Sequence, residues 1–266
     1  MTGNASRLKP GLRSKDTQAA IEALMTMAPT MELPVTICVV CYGEHAALAE
    51  RFLSTLYRCS VPSLFSLRAG LNEVEPATHQ LFAEYAAQFL NIETFVEPRN
   101  IFKDPLLRRL LYERPITTRW TICCDDDVHF TQPDWLQRLA LRIEAKPEVA
   151  LWGMPHRLWR RDQFILDWIR AAKWYQGLPC LRGVDREGNE AAEFSFAAGG
   201  FWAARTDVLR QLDWPDPRLV QAYEDFLLGE ALRQNQFQIG SFYHGISMHD
   251  APRRNADAPE IRELHV

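Results

Sequence analysis

Two hydrophobic periods alternate along this chain, and they predict its elements before any motif is considered. Val35 to Gly43 reads VTICVVCYG, a continuous β-prone run of the kind found in a strand buried on both faces. A helical pattern follows over Ala46–Arg58 and ends at the Ser60-Val61-Pro62 turn. Phe65–Ala69 reads as a second strand running into a loop over Gly70–Glu73, Ala77–Leu90 as a helix and Ile92–Val96 as a third strand. Leu106–Glu113 is helical in period, and Trp120–Cys124 is a fourth buried strand that ends abruptly in Asp125-Asp126-Asp127. Pro133–Ala145 reads as a helix and Val149–Met154 as a strand; helices over Thr206–Leu212 and Val220–Gln234 precede a last strand at Phe237–Phe242. Strands alternating with helices predict an α/β fold with a mostly parallel, Rossmann-like sheet flanked by helices.

The regularity breaks between Pro155 and Glu193, a stretch rich in Trp, Arg and Tyr. With 266 residues the chain has room for one large domain or two small ones. No internal repeat or low-complexity linker divides it, so the reading is an arm with a short helix over 1–30, one domain over 31–250 and a charged tail over 251–266. Residues 155–193 are then an insertion on the acceptor side of that domain. The short helical pattern at Thr17–Met27 packs on the domain or lies on a membrane surface.

Composition narrows the function. A net charge of −4 supplies no overall basic footprint for nucleic acid. Nowhere does an apolar run reach the roughly 18 residues a bilayer-spanning helix needs. Of the six cysteines, Cys38 and Cys41 form a C-x-x-C inside the first strand with no second pair to complete a zinc site, which predicts buried, reduced thiols and a cytoplasmic protein, peripheral to a membrane at most.

The chemistry concentrates in a few places. Ligands bind outside the carboxyl ends of strands in open parallel sheets, where the triple Asp falls. Asp125 and Asp127, two apart, can share one hard divalent ion such as Mg2+ or Mn2+. Glu224-Asp225 sits at the start of a helix about one hundred residues later, and His249 follows the last strand, with His244 competing for the same role.

In this order, Asp125-x-Asp127, Gly199-Gly200-Phe201, Glu224-Asp225-Phe226-Leu227-Leu228-Gly229 with Arg233, and His249 resemble a GT-A glycosyltransferase of the family 2 type, over roughly residues 33–250. The resemblance implies a metal-dependent, inverting transfer of sugar from a nucleotide diphosphate, UDP- or GDP-linked, to an acceptor hydroxyl. It implies Asp225 as the catalytic base, and Asp125, Asp127 and His249 as the metal side. Gly199 and Gly200 would let the backbone approach the donor, while Tyr42, Gly43, Glu44 and Asn72 would face the nucleotide base. Asn100 and Lys103, with Arg99, follow the third strand and can reach the diphosphate, as Arg253 and Arg254 can from the tail; Asp126 completes the donor side.

Trp159, Trp174, Phe201, Trp202 and Glu224 are the acceptor-side candidates, since aromatic faces take sugar rings and Arg holds anionic groups. The acceptor stays open: a glycan, a small molecule, a peptide or a nucleic acid. The alternatives are an Asp-based phosphotransferase or phosphatase using Asp125, and a non-catalytic nucleotide-sugar binder. The same aromatic and basic residues suit an oligomer interface, so a homodimer is also compatible with the sequence.

Overall fold

The structure, a computed structural model, describes residues 33–160, 163–184 and 190–248. The arm, the helix expected at Thr17–Met27, His249 and the tail with Arg253 and Arg254 lie outside the described residues.

The first strand, β1 (Val35–Tyr42), is buried on both faces as its unbroken apolar run requires. It is followed by α1 (Ala46–Cys59), β2 (Phe65–Asn72), α2 (Pro76–Gln88), β3 (Ile92–Glu97), α3 (Lys103–Tyr112) and β4 (Trp120–Asp125). After these come β5 (His129–Phe130), α4 (Trp135–Ala145), β6 (Val149–Arg160), α5 (Gln163–Arg170), β7 (Arg182–Val184) and β8 (Glu190–Arg205). The chain then forms α6 (Thr206–Gln211), α7 (Glu224–Gln234), β9 (Gln238–Ser241) and β10 (Ile246–Ser247). The main sheet runs β3-β2-β1-β4-β8-β6-β9, with β7 added to β8, and β10 pairs separately with β5. β1 to β4 are mutually parallel, β8 runs antiparallel between β4 and β6, and β9 is parallel to β6. The predicted mostly parallel α/β sheet is therefore present as a single layer with helices on both sides.

Each side has its own apolar core. On one, Phe52, Leu53 and Leu56 of α1, Phe82 of α2 and Trp135 and Leu139 of α4 pack on Ile37, Val39 and Leu67. Trp135 is anchored at its polar end, where Nε1 donates to Ser60 Oγ at 2.9 Å. On the other, α3, α5, α6 and α7 contribute Leu106, Leu110, Ile169, Leu209, Phe226 and Ala231. Each fully buried side chain of this size stabilises the fold by about 1.5–3 kcal/mol. All six cysteines are buried free thiols, as expected. No helix among the described residues is long and apolar enough to cross a membrane.

Several boundaries differ from expectation. β2 runs on through Asn72 where a loop is predicted, because Gly70 lets Leu106 pack against the strand: a Cβ there would lie 2.7 Å from Leu106 Cδ2. β6 does not stop at Met154 but continues to Arg160; pairing with β8 absorbs Pro155 at a register shift after Gly153. The irregular stretch is thus largely ordered: α5 and residues 171–181 place Ile165, Ile169, Trp174 and Cys180 in the second core. The predicted helix over Val220–Gln234 begins only at Glu224, because Ala222 and Tyr223 both adopt the left-handed conformation.

Candidate active site

The strand order reverses between β1 and β4, since β1 connects to β2 on one side while β4 lies on the other. A crevice opens at such a switch point. Here it is a cleft of about 160 Å³, lined by Val40 and Tyr42 of β1, Asn72 of β2, Asn100, Phe102 and Lys103 before and at the start of α3, Asp125 at the end of β4, Asp126 just after it, and Gln221. Six residues singled out in the sequence (Tyr42, Asn72, Asn100, Lys103, Asp125 and Asp126) are therefore brought together.

Local hydrogen bonds shape the wall. Asn72 is buried, and its Nδ2 donates to Asn100 Oδ1 at 2.8 Å while its Oδ1 accepts from the Ile101 N–H at 3.0 Å. Asn100 Oδ1 also accepts from the Phe102 N–H at 2.8 Å. Phe102 caps α3 with φ of 66°, and this turn delivers Lys103 into the cleft. The Asn72 amide is thus committed to holding the loop.

Lys103 Nζ lies 2.8 Å from Asp125 Oδ1 and 2.6 Å from Glu224 Oε1, joining the ends of β4 and α7. Burial pulls its pKa down, but the two carboxylates outweigh burial and hold the ammonium well above the ordinary lysine value. Asp104, the next residue, is buried with no hydrogen-bond partner on either carboxyl oxygen. Desolvation, reinforced by Glu224, raises its pKa well above the carboxylate range.

Asp225 is held differently. Its Oδ2 accepts the Gly199 N–H at 3.1 Å and its Oδ1 the Phe226 N–H at 2.8 Å. Burial, with Glu224 second, pushes its pKa up to about 7 against these bonds. Gly199 is needed for the approach: a Cβ there would sit 2.7 Å from Glu224 Oε1. Ala222 and Tyr223, with φ of 65° and 63°, turn the chain so that Glu224 and Asp225 face this point. Two adjacent non-glycine residues in that region store strain, on the order of 1–3 kcal/mol each.

Asp127 is also buried after β4, and its carbonyl oxygen accepts from Arg51 Nη2 at 3.0 Å. Asp125 and Asp127 offer hard oxygen donors from one turn, which is the chemistry a divalent cation of the magnesium or manganese type needs. Among the described residues, however, no three His, Cys, Asp or Glu side chains gather as a metal site. His244 is engaged elsewhere, with Nε2 2.8 Å from Asp134 Oδ1.

The remaining candidates disperse. Gly43 makes the turn after β1 with φ of 67°, Glu44 is exposed, and Gly200 lies within β8. Trp159 is exposed on β6, but Trp174, Phe201 and Trp202 are enclosed in the cores and present no side-chain surface to an acceptor. Phe201 packs edge-on against Trp135, which explains the aromatic there. Sequence reasoning missed Val40, Phe102, Gln221 and Asp104; of these, only Asp104, a carboxylate opening an apolar helix beside Lys103, carried a signal.

No protein-family model matches the sequence, and no curated protein is significantly similar to it. Many solved structures share its fold, two glycosyltransferases among them. The mannosyltransferase PcManGT from Pyrobaculum calidifontis, in complex with GDP-mannose and Mn2+, superposes with a TM-score of 0.53 at 14% identity, covering 85% of this chain and 64% of that one. Staphylococcus aureus TarS, residues 1–349, gives a TM-score of 0.50 at 13% identity, covering 79% of this chain and 58% of that one. The chain thus has the fold of these glycosyltransferases and spans less than two thirds of either structure.

Proposed function

We propose that the chain is a GT-A glycosyltransferase of the family 2 type, transferring a sugar from a nucleotide diphosphate to an acceptor hydroxyl with inversion at the anomeric carbon. The observation that carries this reading is Asp225: a buried carboxylate, fixed by two backbone N–H groups, with a pKa of about 7, beside a cleft at the switch point of a glycosyltransferase fold. A base works best when its pKa lies near the operating pH. Its carboxylate takes the acceptor proton as the acceptor oxygen attacks, and Glu224, secured by Lys103, stays in place next to it.

On the donor side, Tyr42 and the Asn72–Asn100 wall hold the nucleotide, and Lys103 places positive charge beside Asp125, where the diphosphate leaves. Asp125 and Asp127 are the residues that would hold Mn2+ or Mg2+, with His249 as the further ligand. When bound, such a cation supplies Lewis-acid stabilisation of the departing diphosphate. PcManGT, bound to GDP-mannose and Mn2+, supports this donor and metal class.

The test is a thermal-shift panel of UDP- and GDP-sugars with and without Mn2+. A ligand at about 100 times its Kd stabilises by about 2.7 kcal/mol, which is readily visible. Selective, EDTA-sensitive shifts together with donor consumption support the reading. No shift with any nucleotide overturns it, and shifts without turnover on any acceptor favour a binding protein.

A further inference from the structure

A second concave surface lies away from the cleft, between α4 and the edge strand β9. It encloses about 700 Å³ and is lined by Arg138, Leu141, Arg142 and Lys146 on the helix side and by β9, Tyr243 and His244 on the other. Three independent features of this groove converge. First, β9 ends the sheet: among the described residues it pairs with β6 alone, and no described strand lies along its other edge. The edge reads Gln238-Ile239-Gly240-Ser241, without the Lys, Pro or other charge that usually guards an open edge.

Second, the facing helix is basic. Arg138 and Arg142, four residues apart, lie along one face of α4, and Lys146 caps the helix just beyond them. Arg138 is paired with Asp134, but Arg142 and Lys146 are exposed and form no ion pair among the described residues. Among the described residues, Glu148 is the one carboxylate lining the groove. Third, two of the large apolar side chains that the molecule leaves in solvent, Leu141 and Tyr243, line this same groove at 47% and 58% exposure.

We propose that the groove is a docking site for an extended acidic peptide segment of a partner protein, which joins the sheet as a further strand beside β9. Strand addition uses main-chain hydrogen bonds for affinity and alternate side chains for specificity. An acidic segment would turn one set of alternate side chains toward α4, where Arg142 and Lys146 lie beside Leu141. Charge complementarity selects this occupant. A second copy paired edge to edge would set one basic helix face near another. A nucleic acid or an anionic lipid would satisfy the cations but leave the strand edge unpaired.

The test uses the full chain and a fluorescein-labelled peptide of alternating Glu and Val, about ten residues long, read by fluorescence anisotropy. Saturable binding is expected, weakened at least about tenfold by the exposed-site double variant Arg142→Glu/Lys146→Glu. A probe with alternate amides N-methylated, unable to pair with an edge, should lose binding to a similar extent. Circular dichroism of the double variant checks that its fold is intact, and nucleotide binding at the distant cleft should not change. The proposal is overturned by absence of saturable binding, by equal affinity for the N-methylated probe, by an unaffected double variant, or by binding of phosphatidylserine vesicles in preference to the peptide.

Discussion

The two halves of the site are built by different means. On the proposed donor side, parallel strands β1, β2 and β4 end side by side, and hydrogen bonds at Asn72 and Asn100 set the loop that carries Lys103. On the other side, Glu224 and Asp225 reach the cleft through two left-handed residues and a close pass against Gly199. The first half rests on strand geometry, with single left-handed residues at Glu73 and Phe102; the second stacks two such residues in a row and tolerates a carboxylate that burial disfavours. A fixed frame can hold the donor, whereas the proton acceptor needs an environment that moves its pKa.

The sharpest break in that comparison is Asp225→Asn. It should lower kcat by about a hundredfold to ten-thousandfold while leaving nucleotide binding intact, since general-base catalysis contributes on that order; turnover and thermal shift on one preparation separate the two. A drop in nucleotide binding alone would move Asp225 to the donor side.

Next is pH. In the proposed role of Asp225 as base, the carboxylate form is lost as pH falls through about 7, so kcat should fall about tenfold per pH unit well below that value. Stability runs the other way. A carboxyl whose folded pKa is raised favours the fold fully below about pH 4, its ordinary value, and loses that contribution as pH rises to about 7. Asp225→Asn should therefore melt higher than the wild type at pH 8 and no higher at pH 4.

Lys103→Met removes the ammonium that joins the halves and leaves Asp125 and Glu224 facing each other across the gap. It should cost about 1–3 kcal/mol in urea unfolding and weaken nucleotide binding as well. Lys103→Arg is the informative control: restored stability without restored binding would show that the bridge is structural only.

The smallest expected difference compares two glycines. Gly229→Ala would drive a Cβ into the Ser195 carbonyl on β8, a backbone atom that cannot step aside, and should destabilise by about 1–3 kcal/mol. Gly199→Ala meets the Glu224 carboxylate, the end of a side chain, so its loss should appear more in kcat than in denaturant midpoint.

The same division decided what could be read from sequence. β1 and β4 were legible because buried parallel strands need unbroken apolar runs, and Asp125 to Asp127 stood out where the run stops. Asn72 was legible as a residue but not as part of a strand, because Gly70 and Asn72 are poor strand formers that packing and the pairing with β3 override. Ala222 and Tyr223 carry no glycine to announce positive φ, so the helix was placed four residues early. Phe201 and Trp202 look like sugar-binding aromatics in a linear reading; their burial follows from β8 crossing the centre of the sheet, which periodicity does not reveal. β5 and β10, two residues each, exist only through each other.

The Lys103 bridge has a further consequence for how a donor arrives. Asp125 and Asp126 line the cleft, Glu224 meets it through Lys103, and that one ammonium offsets only part of their charge. A bare nucleotide diphosphate would approach against a repulsive field, so its association rate should rise as salt is added, until the Debye length shrinks to about 10 Å near 0.1 M. With the cation already on the diphosphate, that barrier shrinks at its source. The acidic rim would then act as a kinetic filter, admitting the metal-laden donor faster than the metal-free nucleotide before any contact is made.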